Sequence, residues 1–285
     1  MVWVSKPPVG TPLVWSHPLN RGLVGSWPMW EGAGDRINDI SGAGFSATAQ
    51  GVAQGPTSGW TGGVAGGFGV LFDGVNDYLS MNPRQHPQTA YSCCAWVRPN
   101  SSAGNRSICA SYSSTAPNAS YSQFALLNTG SMLARIQQAR DTIYIGRTGP
   151  NPPERVWSHI AYTWDGGTTN SAIKIYVNGN RIDTADSGAG AFTGPYSGSD
   201  LPMRIGAQNF GGPSDFYAGA MAGVWNYSRC LNADEVRQHA ASTWGVFKSP
   251  DYSKWYVAAA GGGPTVTYPM LERFRPRGLT RGLAT

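Results

Sequence analysis

Along the middle of the chain, apolar side chains recur at every second position in short runs, each closed by a residue that turns the backbone. Alternation of this kind marks half-buried β-strands. GVLFDGVNDYLSM (69–81) predicts two short strands around the turn Asp73-Gly74, and SCCAWVRP (92–99) predicts a strand stopped by proline. WSHIAYTWDGG (157–167) sets Ser158, Ile160, Tyr162 and Trp164 against Trp157, His159, Ala161 and Thr163 before a glycine turn. In AIKIYVNGNRI (172–182), Ile173, Ile175 and Val177 share one face. The Asn178-Gly179 pair that follows suits the positive φ angles of a two-residue hairpin turn. PMRIGAQN (202–209) and FYAGAMAGVWNYSR (216–229) supply further strands. The period then changes: Asn232 with Glu235 three residues on forms a reciprocal cap, which predicts one short helix over 233–242.

The two ends follow neither period. Residues 1–19 contain Pro7, Pro8, Pro12 and Pro18, which predict an extended arm. Its apolar residues, Trp3 and Trp15 among them, are too many for a solvated linker, so the arm is expected to lie against a surface. Beyond the flexible joint at 261–264, the tail ERFRPRGLTRGLAT (272–285) interleaves Arg273, Arg275, Arg277 and Arg281 with Phe274, Leu279 and Leu283. The chain thus divides into an N-terminal arm (1–19), a body (20–247) and a basic, apolar C-terminal arm (248–285).

Composition agrees with short strands and tight turns: 38 Gly, 20 Pro and 11 Trp in 285 residues, with only 13% charged. The net charge of +5 would suggest nucleic acid if it were spread over the body, and it is not. Residues 31–244 hold thirteen basic and fourteen acidic side chains, whereas residues 245–285 hold six basic and two acidic. Charge confined to the ends marks interaction arms. Nucleic acid is disfavoured as their partner, because the tail carries as many apolar anchors as charges and only Phe274 to stack on bases. No apolar run approaches the length of about 18 residues that a membrane span needs. The N-terminus also lacks the basic and apolar regions of a signal peptide, so synthesis and retention in a reducing cytoplasm are expected. Cys93, Cys94, Cys109 and Cys230 show no metal-binding spacing and read as free thiols, with Cys93 and Cys94 on opposite faces of one strand.

Taken in order, FDGVNDYL, the strand ending in WVRP, WSHIAYTWDGG, IKIYVNGNRI, MRIGAQN and FYAGAMAGVWNYSRCLNADEV resemble the laminin-G-like, concanavalin-A-like jelly-roll domains. The resemblance runs over roughly residues 20–245. The opening NRGLVGSWPMWEGAGDRINDISGAGFSATA is similar to the start of such domains in phage and environmental sequences, where they often sit in virion proteins. With the elements above, the resemblance implies an all-β fold. It is a two-sheet antiparallel jelly-roll sandwich with one short C-terminal helix and extended terminal arms.

This fold serves lectins, glycosidases, adhesion modules and capsid proteins alike, so individual residues must decide. Related glycosidases carry their acids as E-x-D-x-E or E-x-D-x-x-E. None of Glu31, Glu154, Glu235 and Glu272 is followed two residues later by Asp, and Asp183 and Asp186 would point to opposite faces if extended. His17, His86, His159 and His239 form no catalytic or metal motif, and His159 reads as a strand residue. An enzyme is therefore not expected, and no cofactor is required. Members of the fold often bind one Ca²⁺, and Asp35, Asp39, Asp73 and Asp77, with Asn76, lie in glycine-rich turns as candidate ligands. The family's usual acidic pair near the domain end is replaced here by Ala220-Met221-Ala222-Gly223. Trp60, Tyr112, Tyr121, Tyr196 and Phe210 lie in loop-like stretches and are candidates for stacking on sugar rings.

The expected function is a non-enzymatic virion structural protein: a phage capsid decoration or other capsid-associated protein. Its arms, through Trp3, Trp15, Arg273, Phe274, Arg275, Arg277, Leu279, Arg281 and Leu283, would hold it to other virion proteins, to the capsid shell or to further copies of itself. The alternative is a lectin-like, carbohydrate-binding module for surface or host adhesion.

Overall fold

In a computed structural model the period-two runs become strands. The model describes residues 5–81, 89–100, 104–111, 122–139, 142–195, 203–209 and 212–248. In chain order the strands are β1 (Leu23–Trp27), β2 (Arg36–Ile37), β3 (Ala47–Gln50), β4 (Gly59–Gly62), β5 (Phe68–Asp73), β6 (Tyr78–Ser80), β7 (Tyr91–Pro99), β8 (Arg106–Ser111), β9 (Ser122–Leu126) and β10 (Ser131–Ala139). There follow β11 (Ile143–Pro150), β12 (Ser158–Trp164), β13 (Ile173–Val177), β14 (Asn180–Arg181), β15 (Ala185–Asp186), β16 (Met203–Ile205), β17 (Gln208–Asn209), β18 (Pro213–Ser214) and β19 (Ala218–Tyr227). Among the described residues one α-helix, α1 (Ala233–Ala241), follows β19, with a short 3-10 turn at Thr243–Val246 after it. Among the described residues no helix is long and apolar enough to cross a membrane.

The strands form two large antiparallel sheets. One has eight strands in the order β14-β13-β12-β7-β19-β5-β4, with β1 also pairing with β19; the other has nine, in the order β15-β11-β10-β9-β8-β16-β6-β3-β2. The main core lies between them. The nine-stranded sheet contributes Phe124, Leu126, Met132, Ala134 and Ile136, and the eight-stranded sheet contributes Ile160, Tyr162, Trp164, Ile173 and Ile175. GVLFDGVNDYLSM does form two strands, but β5 and β6 join different sheets, so this segment is a crossover between layers and not a hairpin.

A second apolar cluster explains why β12 is buried along its whole length. On the side of the eight-stranded sheet away from the main core, Cys94, Ala161, Tyr176, Trp225 and Tyr227 pack against Val236 of α1, Trp244, Phe247, Leu13 and Leu19. Cys93 faces the main core and Cys94 the second cluster, as alternation requires. All four cysteines are free thiols. The described part of the N-terminal arm is thus laid over this sheet. Leu13 forms an isolated antiparallel bridge with Phe247, and the Lys248 N–H donates to the Pro12 carbonyl at 2.9 Å.

Lys6 fixes the start of this segment. Along one edge of β19 the partner changes from β5, which pairs with Ala218–Met221, to β1, which pairs with Val224–Tyr227. Between them the β19–β7 register shifts and Ala222 takes no strand partner, a bulge that leaves a carbonyl outside the ladder. The Lys6 Nζ fills the junction. It donates to Ala222 O (2.8 Å), Met29 O (2.9 Å) and Phe68 O (2.5 Å), with its charge 5.2 Å from the Trp244 ring centroid. Burial pushes its pKa down from 10.5 to about 7, against the opposing pull of Glu31.

Local signals are realised as their chemistry demands. Asn178 and Gly179 take φ of 49° and 79°, the double left-handed turn that joins β13 to β14. At the start of α1, Asn232 Oδ1 accepts from the Glu235 N–H and Glu235 Oε2 accepts from the Asn232 N–H, at 2.9 and 3.0 Å.

Candidate functional site: the outer face of the nine-stranded sheet

Since α1 and the N-terminal segment occupy the outer side of the eight-stranded sheet, the outer side of the nine-stranded sheet is the other broad surface of the sandwich. Antiparallel register decides which side chains stand abreast there. Across eight strands it aligns Arg36, Thr48, Ser80, Arg204, Ala110, Gln123, Arg135 and Gly146 in one transverse row. Their chain neighbours Ile37, Ala47, Leu79, Ile205, Cys109, Phe124, Ala134 and Ile145 all lie in the main core. The row therefore points away from it.

Several members of the row are held by neighbours on the same face. The Arg135 guanidinium lies 4.1 Å from the Tyr144 ring centroid, and that of Arg204 lies 4.9 Å from Tyr78, which is itself 6.3 Å from Phe216. Stacking on an aromatic face orients a guanidinium and leaves its edge donors in plane. Gln123 Nε2 donates to Gln208 Oε1 at 2.7 Å, and Gln208 Nε2 donates to the Asp215 carboxylate. Arg204 Nη1 reaches the Gln208 carbonyl at 3.3 Å. Gln123, Gln137 and Gln208 are buried, although Gln123 and Gln137 sit on strand positions that face away from the core. β8 and β9 are buried at every position, so Ala110 and Gln123 in the middle of the row are covered, while Arg204 and Arg135 on either side are half-buried.

The Asp215 carboxylate, which accepts from Gln208, joins this network, and burial pushes its carboxyl above its ordinary range despite that hydrogen bond. Among the described residues no carboxylate pairs with Arg204.

The residues singled out by sequence fall elsewhere or outside the described structure. Trp60 is not in a loop: it lies in β4 at the edge of the other sheet, packs against the main core and donates from Nε1 to Gly34 O at 2.9 Å. Tyr112, Tyr121, Tyr196 and Phe210 lie outside the described residues, as do Trp3, Arg273, Phe274, Arg275, Arg277, Leu279, Arg281 and Leu283. Trp15 is described and exposed, at 58%. Of the four acidic candidates for calcium, Asp73 and Asp77 adjoin, the Asp73 N–H donating to Asp77 Oδ2 at 2.9 Å, but no group of three among them converges. Asp39 instead accepts from the N–H groups of Ser26, Ser41 and Phe45, and Asp73 from those of Val75 and Asn76, which is turn chemistry. Asp77 is fully buried, and burial pushes its carboxyl up. Asp183 and Asp186 do not point apart as expected: the chain between them is not continuous strand, and both reach Arg147, Asp183 at 2.8 Å.

The transverse row carries no local motif. In SMLARIQQA (131–139) the alternation of Met132, Ala134 and Ile136 with Leu133, Arg135 and Gln137 was its only trace.

Comparison with known proteins fits this architecture. Residues 73–237, more than half of the chain, match the Laminin_G_3 family model, described as the concanavalin A-like lectin/glucanases superfamily. No curated protein matches the chain. Among solved structures, the chain is similar to domain 4 of AbnA, a GH43 extracellular arabinanase from Geobacillus stearothermophilus, in complex with arabinotriose. The TM-score is 0.56 at 17% identity, over 76% of this chain and 98% of that domain. It is similar also to the binding domain of botulinum neurotoxin DC in complex with SialylT (TM-score 0.56, 13% identity, 80% of this chain and 55% of that one). The binding domain of botulinum neurotoxin serotype C1 gives TM-score 0.56 at 14% identity, again over 80% and 55%. The chain therefore spans nearly all of the arabinanase domain and about half the length of the toxin binding domains. With two antiparallel sheets and a family match over more than half its length, this chain belongs to the concanavalin A-like lectin/glucanases superfamily.

Proposed function

We propose that the chain is a non-catalytic carbohydrate-binding module that takes glycans bearing anionic groups across the outer face of its nine-stranded sheet. The observation that carries this reading is the transverse row, in which Arg204, Gln123 and Arg135 stand abreast and both arginines are stacked on tyrosines. A sugar needs fixed hydrogen-bonding groups for its hydroxyls and an apolar ring face to lie against; the half-buried Arg204 and Arg135 supply the first, and Tyr78 and Tyr144 the second. The arginines suit a carboxylate or sulfate, which they can hold through paired N–H donors. Two solved relatives of this fold were captured with arabinotriose and with SialylT, so the architecture accommodates sugar ligands.

Catalysis is not part of the proposal. Asp183 and Asp186 are both engaged by Arg147, and Asp183 also accepts from Arg181 and from the Ile175 N–H. Neither carboxylate is left to act on a glycosidic bond.

The test is a glycan array of neutral and acidic oligosaccharides probed with the full chain, followed by Arg204→Ala and Arg135→Ala. Expected is binding to an acidic subset, weakened at least tenfold by either substitution, with folding preserved by circular dichroism. Binding that both substitutions leave unchanged, or no binding on the array, would sink the proposal.

A second reading, attachment to a virus particle through the chain's ends, rests on the sequence resemblance and on the exposed Trp15 beside the packed N-terminal segment. It is compatible with the first. Light scattering of the full chain beside Trp15→Ser tests one part of it: a defined oligomer lost in the variant would support assembly through this segment.

A further inference from the structure

The second apolar cluster contains a group that no glycan site uses. Cys94 on β7 and His159 on β12 belong to neighbouring strands, with Cys94 opposite Ala161 and Trp96 opposite His159, so both side chains emerge on the side away from the main core. From above, α1 brings His239. His159 Nε2 lies 2.9 Å from His239 Nδ1, and Cys94 Sγ with one nitrogen of each imidazole all lie within 4.8 Å of one another. The three residues are 0 to 1% exposed. The rings of Trp96 and Trp225 stand 5.5 and 5.0 Å from His159 and His239 and wall the group from water.

We propose that Cys94, His159 and His239 bind one thiophilic metal ion, Zn²⁺ or Cu⁺, which fastens α1 to the eight-stranded sheet. One thiolate and two imidazoles form a donor set that favours these ions over Ca²⁺ or Mg²⁺, which demand oxygen. Metal bonds of about 2.0–2.1 Å to nitrogen and about 2.3 Å to sulfur fit ligand atoms gathered within the span seen here after shifts of about 1 Å or less. Each neutral imidazole keeps a lone pair on one ring nitrogen, and the Cys94 thiol gives up its proton as a cation replaces it. Binding balances as one S–H bond broken, one S–metal bond formed and one proton released to solvent. The ring that donates in the His159–His239 hydrogen bond passes that proton to its other nitrogen, so that both facing nitrogens can bind the metal.

The test uses the full chain, purified without chelator and titrated with Co²⁺ as a spectroscopic stand-in. Expected are a thiolate-to-cobalt charge-transfer band in the near ultraviolet and intense visible bands of a low-coordinate site, saturating at one equivalent. Added Zn²⁺ should abolish the bands by displacement; if Cu⁺ displaces Co²⁺ and Zn²⁺ does not, the occupant is Cu⁺. Cys94→Ser should remove the charge-transfer band and His239→Gln should weaken binding at least tenfold, whereas Cys230→Ser should change neither. If a variant fails to fold, native mass spectrometry of the unmodified chain, which should show one retained Zn²⁺ or Cu⁺, gives the same answer. No stoichiometric charge-transfer band together with no retained metal ion, or a band that survives Cys94→Ser, overturns the proposal.

Discussion

Replacing Lys6 with methionine separates the electrostatics of one buried nitrogen from the packing around it. The Lys6 Nζ reaches three carbonyls, those of Met29 and Ala222 buried and that of Phe68 part-buried, at the point where β5 and β1 both abut β19. Its pKa is about 7 in the folded chain against an ordinary value of 10.5. The sign follows from proton counting. Between pH 7 and 10.5 the unfolded chain binds this proton more tightly than the folded one, so stability rises with pH across that window and is flat on either side. The slope is about 1.4 kcal/mol per pH unit, the free energy of one pKa unit. Lys6→Met keeps the apolar stem but leaves the three carbonyls short of a donor. At pH 9 the amine is neutral and carries two N–H donors, so at about 1 kcal/mol each the substitution destabilises the chain by about 2 kcal/mol. The same variant removes the pH dependence. Urea unfolding of both proteins at pH 7, 8 and 9 would show the gap between them widening by about 1.4 kcal/mol per pH unit, since all other titrations cancel in the comparison. Parallel profiles, or a variant as stable as the parent at pH 9, would refute the placement of Lys6 as the pin of this junction.

Two further outcomes are expected. Gly179→Val should destabilise by about 2 kcal/mol or more in the same unfolding assay, because φ is positive there and the new Cβ would meet Arg237 Cα at 2.9 Å. Asp183→Asn should cost stability at pH 6 and progressively less as the pH is lowered below 3.8. Burial disfavours the Asp183 charge, but hydrogen bonds from Arg181 and Ile175 with the charge of Arg147 hold its pKa below 3.8, so its contribution is present above that pH and is lost as pH falls through the folded value.

What could be read in the chain was local. The Asn178-Gly179 turn and the Asn232–Glu235 cap are each completed within a few residues, and both form as their chemistry dictates. Alternation likewise placed Cys93 and Cys94 on opposite faces. The assignment of β5 and β6 to different sheets could not be read, because their partners lie far along the chain: β19 for one, β3 and β16 for the other. The same limit hid the arginine and glutamine row, which needs seven strand pairings at once. It hid the cysteine and histidine group too, whose two imidazoles are 80 residues apart. Choosing sugar-binding candidates by loop composition picked out Trp60, whose ring the fold spends on its own rim.

The bridge between Leu13 and Phe247, with the Lys248 bond to Pro12, places both crossings of the chain into the sandwich on one side. The glycan-binding face proposed above is on the opposite side, with two sheets and the main core between. A tether attached at the described residues on that side, such as Trp15, therefore pulls on the side of the sandwich away from the arginine row. Copies fixed in this way to a common support would present their rows in the same direction. Weak single contacts would then add up through effective concentration, so a modest affinity per module would suffice for firm adhesion.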